Sequence, residues 1–182
     1  MRLVLGWLWL ALFFVPPLAV NAQQSAAIAS AHPLATEAGY DILKRGGNAF
    51  DAAVAVAAAL AVVEPYSSGI GGGGFFLLHR AADGKQVMVD ARETAPMGVK
   101  PEHYIDAAGN PVKRATMQGG TAAGIPGAPA GLAHVARVYG ALPLADTLAP
   151  AIKLAREGFA VDGRYARIAK RSEEHTSELQ SH

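Results

Sequence analysis

Gly69-Ile-Gly-Gly-Gly-Gly74 leads into Phe75-Phe-Leu-Leu-His-Arg80, then Ala81-Ala-Asp-Gly84, then Lys85-Gln-Val-Met-Val-Asp90-Ala-Arg-Glu-Thr-Ala-Pro96. Two apolar runs on either side of a short segment containing Asp83-Gly84 predict a β-hairpin. Four consecutive glycines give up backbone entropy at every position. A fold keeps such a run where side chains have no room or where φ must be positive. The second strand ends in a charged cluster of Asp90, Arg92 and Glu93, so the hairpin is expected to hold Arg92 at a site.

Helical patterns lie on both sides of the hairpin. Pro33 can open a helix at its first position, with Lys44 and Arg45 in the last turn and Gly46-Gly47 stopping it. Leu34, Ala38 and Ile42 give that helix one apolar stripe. Asn48 reads as an N-cap with Asp51 three residues on, and the stretch from Ala52 to Val63 holds no polar residue. Such a segment is too short to span a membrane and is predicted to be a buried core helix, ended by Glu64-Pro65. Residues 97–124 are poor in periodicity and read as a long surface loop with a turn at Asp106-Ala-Ala-Gly-Asn-Pro111. Leu132, Val135, Ala136 and Tyr139 predict an amphipathic helix from Pro129 to Tyr139, stopped by Gly140. A further helix starts near Pro143 and runs to Gly158, kinked or restarted at Pro150. Antiparallel strands with helices before and after place the chain in the α+β class.

The chain has 182 residues, enough for one domain with a real core, and 51% of them are hydrophobic. Part of that figure belongs to residues 1–22, where a basic start, the uncharged run Leu3 to Val15 and small residues before Ala22 have the layout of a secretory signal peptide. The uncharged run is shorter than the ~20 residues of a spanning helix, and Pro16-Pro17 breaks it. Export to the periplasm or the outside is the expectation. Residues 23–170 form the expected folded region. Residues 171–182 change abruptly to a polar composition. Ser172 is able to cap a terminal helix there, but the segment more closely resembles an in-frame translation of a sequencing-library adapter and is excluded from fold reasoning. On that expectation the chain stops before its natural end.

The absence of cysteine excludes disulfide staples, thiol nucleophiles and cysteine zinc sites. Lys plus Arg 16 against Asp plus Glu 15 gives +1 without a basic stripe, which leaves a nucleic-acid partner unsupported. His32, His79, His103 and His134 lack metal-ligand spacing and read as surface or packing residues, so neither a metal nor a cofactor is expected. Ser67-Ser68-Gly69 lacks the preceding glycine of a nucleophile elbow. Gly69 to Gly74 satisfies Gly-x-Gly-x-x-Gly, yet that motif binds a pyrophosphate only between a strand and a following helix, and here a helix precedes and a strand follows. Arg92 carries a planar fork of donors suited to a carboxylate. A structural bridge to Glu93 or Asp90 is an equally good reading of the local residues, and both stay open.

Gly39-Tyr-Asp-Ile-Leu-Lys-Arg-Gly-Gly-Asn-Ala-Phe-Asp-Ala-Ala-Val-Ala55, Gly71-Gly-Gly-Gly-Phe75, Asp90-Ala-Arg-Glu-Thr-Ala-Pro96 and Gly124-Ile-Pro-Gly127, in that order, closely resemble the opening part of the γ-glutamyltranspeptidases. The resemblance runs from about Ala29 to about Lys170. It implies an α+β N-terminal-nucleophile hydrolase with an αββα sandwich, of which this chain is an N-terminal fragment. It also implies a precursor that cuts itself into a large and a small subunit, with a threonine at the new N-terminus of the small subunit. That threonine attacks the γ-glutamyl amide of glutathione or a related donor, and the acyl group passes to water or to an amino acid or peptide. Arg92 would grip the α-carboxylate of the glutamyl group. Thr36, Thr94, Thr116, Thr121 and Thr147 do not match the nucleophile motif, so no catalytic residue is nominated in this chain. A relative acting on glutaryl or cephalosporin side chains, or a non-catalytic exported module binding an anion through Arg92, are the competing expectations.

Overall fold

The computed structural model describes residues 26–180, with side chains described through Glu173. The segment read as a signal peptide, residues 1–22, lies outside the described residues, as do the last two residues of the polar tail. Helix α1 spans Pro33–Lys44, with Pro33 at its first position and His32 as N-cap, the ring Nδ1 accepting the Leu34 amide at 3.2 Å. Arg45 stands just past the last turn as the C-cap, and Gly46 follows at φ 91°. Helix α2 spans Ala49–Val63 behind the expected Asn48 cap. Strands β1, Gly74–Arg80, and β2, Lys85–Ala91, pair antiparallel with Leu77 opposite Met88. Helices α3, Ala128–Tyr139, α4, Leu144–Glu157, and α5, Gly163–Gln180, complete the order. No helix among the described residues is long and apolar enough to cross a membrane.

Why α2 is apolar on every side is visible in what surrounds it. On one side Ala58, Ala59 and Val63 pack with Ala35 and Ala38 of α1 and Ala151 of α4. On the other, Val54 packs with Leu78 of β1 and with Leu132, Val135 and Ala136 of α3. Alanine at the contact positions lets the helices approach closely, so α2 serves two layers at once. The hairpin turns as its composition predicts. Gly84 takes φ 67°, and Asp83 receives Arg80 through Nε at 2.9 Å and Nη2 at 2.6 Å. That guanidinium pulls the Asp83 carboxyl down to about 2.

One sequence expectation needs correction. Of the kink or restart expected at Pro150, the restart does not occur: α4 runs through it as one span of 14 residues. The proline removes one ladder hydrogen bond, but Thr147 and Ala151 on the same face are buried against the rest of the domain, and that packing holds the helix together. In place of the Ser172-capped terminal helix set aside above, a single helix α5 carries the backbone through Ser172 from Gly163, with Asp162 Oδ1 accepting the Tyr165 amide at 2.7 Å. Residues 97–124 form the expected exposed loop, relieved by single turns at Pro101–His103 and Gly120–Ala122. Asp106 Oδ1 organises the predicted turn by accepting the amides of Ala108 and Asn110, each at 2.9 Å.

Candidate functional site

Three segments that are remote in sequence converge at the end of β2. The Gly72 carbonyl accepts the amides of Gly127 at 3.1 Å and Ala128 at 3.0 Å, tying the glycine run to the start of α3. Thr94 and Ile125 exchange backbone hydrogen bonds at 3.2 and 2.8 Å. A β-carbon on Gly73 would run into the Ala91 carbonyl and come within 2.7 Å of the Glu93 amide, and one on Gly127 would run into the Ala91 carbonyl as well. The Ala91–Arg92 peptide is therefore clamped between two glycines. Close approach, and not positive φ, is what the run supplies here, since none of its glycines falls among those with positive φ.

Arg92 emerges from this clamp. Its amide donates to Asp90 Oδ1 at 2.9 Å, and its Nε donates to Glu93 Oε2 at 3.1 Å, while its side chain remains 67% exposed. Glu93 lies below the usual carboxylate range because its own backbone amide and then the Arg92 guanidinium favour the charged form, with the Gly73 amide adding to them. The two neighbours face different spaces. Arg92 lines a cleft of 520 Å³ with Asp90, Thr94, Gly127, His134 and Arg137, whereas Glu93 lines a cleft of 590 Å³ with Tyr66, Ser67, Ser68 and the glycine run. An anion entering the first cleft would meet the Arg92 Nη donors and two further basic side chains on α3.

The structure thus brings Arg92 together with His134 and Arg137, which lie three residues apart on one turn of α3. The spacing was a usable signal. Alone, however, it is equally the pattern of a solvated helix face, and the edge contact of His134 with Tyr139, at 6.1 Å between rings, is ordinary packing. Two other histidines have structural tasks: His32 caps α1, and the His103 ring accepts the Lys100 amide at 3.3 Å. Among the described residues no group of three His, Asp or Glu side chains is arranged to hold a metal. The glycine run faces the Glu93 carboxylate, which is no setting for a nucleotide phosphate.

The α+β domain thus ends its hairpin in an exposed, buttressed arginine at the wall of an open cleft. The family model described as Gamma-glutamyltranspeptidase matches residues 35–181, and the chain belongs to that family. It is 44% identical over 139 residues to the glutathione hydrolase proenzyme of Escherichia coli (strain K12), covering 76% of this chain and 24% of the relative. The corresponding proenzyme of Bacillus subtilis (strain 168) is 42% identical over 146 residues, covering 79% and 24%. The crystal structure of Helicobacter pylori gamma-glutamyltranspeptidase superimposes with a TM-score of 0.77 at 42% identity, covering 83% of this chain and 44% of that one. The chain spans about a quarter of the length of the curated relatives it matches. Of the layered sandwich expected for the family, the described residues hold a helical layer and a two-stranded sheet.

Proposed function

We propose that this chain carries the carboxylate-recognising part of an exported glutathione hydrolase, which cleaves the γ-glutamyl amide of glutathione and passes the glutamyl group to water or to an amino acid or peptide. The observation that carries the reading is Arg92. Its Nε is engaged by Glu93 and its backbone by Asp90, so its position is fixed while the outer guanidinium nitrogens stay available for the α-carboxylate of the donor. The curated relatives bear the name glutathione hydrolase proenzyme, which supports both this donor and a precursor that is processed.

The nucleophile in this chemistry is a threonine whose own free α-amine takes the proton. Thr36, Thr94, Thr116, Thr121 and Thr147 all lie within the chain, and Thr147 is fully buried with its hydroxyl donated to the Leu144 carbonyl at 2.8 Å. On this reading the small subunit of the same precursor supplies the threonine, and the present chain turns over no γ-glutamyl amide by itself. Residues 1–22 direct it to the periplasm or the outside.

The test has two parts. Titrating L-glutamate into the purified chain should give weak binding that falls about tenfold or more in Arg92→Ala, the loss of a charge-assisted pair. Equal binding by wild type and variant would remove the clamp. Assayed on a γ-glutamyl anilide, the purified chain should release no aniline; turnover that disappears in Arg92→Ala would overturn the division of labour between subunits.

A further inference from the structure

Arg92 and Glu93 are adjacent, and adjacent residues of an extended chain point to opposite faces. Their Nε–Oε2 contact at 3.1 Å is therefore not what a strand end gives by default. Exposed ion pairs, moreover, are seldom held in one geometry unless something else fixes a partner. Here Glu93 is fixed from several directions. A β-carbon added to Gly72 would lie 3.1 Å from Glu93 Oε1, and one added to Gly124 would lie 3.2 Å from Glu93 Cβ. Gly73 packs against the Glu93 backbone, where a β-carbon would come within 2.7 Å of the Glu93 amide nitrogen, and its own amide is one of the groups holding Glu93 below the usual carboxylate range. The side chain is the less exposed of the pair, 36% against 67% for Arg92.

We propose that Gly72 and Gly73 form a cradle for the Glu93 carboxylate, and that Glu93 is the positioning residue which holds Arg92 by Nε so that Nη1 and Nη2 are left as a paired fork for the substrate carboxylate. This rests on the carboxylate-clamp reading of Arg92 and goes beyond it by assigning the glycine run and Glu93 a task. Among the described residues, no hydrogen bond is recorded from Nη1 or Nη2 of Arg92, whereas Nε is engaged. A guanidinium tethered through Nε keeps its end-on pair of donors free, which is the geometry that receives a carboxylate through two parallel hydrogen bonds. An untethered Arg92 would have to give up the freedom of its long side chain on each binding event, which weakens capture.

The test follows the Arg92 Nε–Hε signal by nitrogen NMR in the purified chain, alongside L-glutamate titration. In the wild type, Nε–Hε should be ordered and slow to exchange. Glu93→Ala should release it and weaken L-glutamate about tenfold, as loss of the tether returns the side chain's freedom. Glu93→Gln keeps an acceptor at the same place and should retain order and affinity within about threefold. Gly72→Ala, which intrudes on Oε1, should loosen Nε–Hε with Glu93 still present. Unchanged backbone amide signals in α2 and α3 establish that each variant is folded; if Glu93→Ala fails this check, Gly72→Ala and Glu93→Gln decide. An equally ordered Nε–Hε in the variants that remove or displace Glu93, or lost order with unchanged affinity, overturns the positioning role and leaves the clamp reading standing. Equal binding by Arg92→Ala sinks the clamp itself, and the Nε–Hε result then still decides whether Glu93 tethers the arginine.

Discussion

Replacing Asp51 by alanine should be among the most damaging single changes in the domain, although Asp51 lines neither the Arg92 cleft nor the Glu93 cleft. The carboxylate is fully buried and accepts backbone amides from Asn48 at 2.9 Å, Ala141 at 2.8 Å and Leu142 at 3.4 Å. The first bond completes the capping box of α2, and losing such a cap costs about 1 kcal/mol. The Ala141 bond is charge-assisted and buried, so its removal leaves a donor without a partner at about 1–3 kcal/mol; the longer Leu142 contact adds less. Together the loss is roughly 3–4 kcal/mol, a large part of the ~5–15 kcal/mol that holds a domain folded. For a chain of this size that is a fall in Tm of about 10 °C and a urea midpoint lower by about 1.5 M. Asp51→Asn keeps one acceptor and should lose about half as much, while Asp41→Ala, on an exposed ion pair, should change stability by no more than about 0.5 kcal/mol. A β-carbon on Gly140 would collide with Asp51 Oδ1, so part of the Gly140→Ala penalty should vanish when Asp51 is already alanine, a coupling of about 1 kcal/mol. Urea unfolding followed by circular dichroism measures all of these. A loss below about 1 kcal/mol for Asp51→Ala, or strict additivity with Gly140→Ala, would refute the view that this carboxylate joins α2 to the segment that follows α3.

Gly73→Ala forces a methyl into the Ala91 carbonyl and should destabilise the hairpin by about 2–3 kcal/mol, whereas Gly71→Ala, which meets nothing within 4 Å, should be tolerated; equal effects would contradict the clamp at Ala91–Arg92. The Asp83 carboxyl is depressed in the folded hairpin, so its contribution is present above the ordinary carboxylate range and is lost as the pH falls toward about 2. Protection of the Arg80 and Lys85 amides, taken relative to the intrinsic exchange rate at each pH, should fall across that window, and this dependence should be lost in Asp83→Asn. Phe75, Leu77 and Met88 are 56%, 78% and 66% exposed on one face of the hairpin, so the purified chain should associate and bind an apolar dye; a dye-silent monomer in sedimentation would contradict this.

How much of this was legible in the sequence follows the range of each interaction. The hairpin, its Asp83-Gly84 turn, the Asn48 cap and the stop at Gly140 depend on neighbours within four residues, and their residue types announce them. Asp51 announced only the local half of its work. Its bond to Ala141 joins positions 90 residues apart, which local spacing does not encode. The glycine run declared that something required small residues but not what, because the Ala91 carbonyl and Glu93 reach it only once the strands have paired. Pro150 misled because its local rule is sound and the packing of Thr147 and Ala151 overrides it. At the site, Arg92 was named from its strand-end position and from the family resemblance, while His134 and Arg137 join its cleft only through the docking of α3.

The glycine clamp on the Ala91–Arg92 peptide also acts as a ruler for strand pairing. Gly73 and Gly127 fit against one carbonyl, and the register in which Gly74 faces Ala91 brings that carbonyl to them. Side chains alternate along a strand, so a slip of a single residue would exchange the spaces faced by positions 92 and 93. A carboxylate would then stand in the cleft of His134 and Arg137, and the guanidinium would turn toward the serines. An insertion or deletion of one residue in the Ala81–Gly84 turn would therefore invert the sign of charge offered to a ligand while leaving the composition of the site almost untouched.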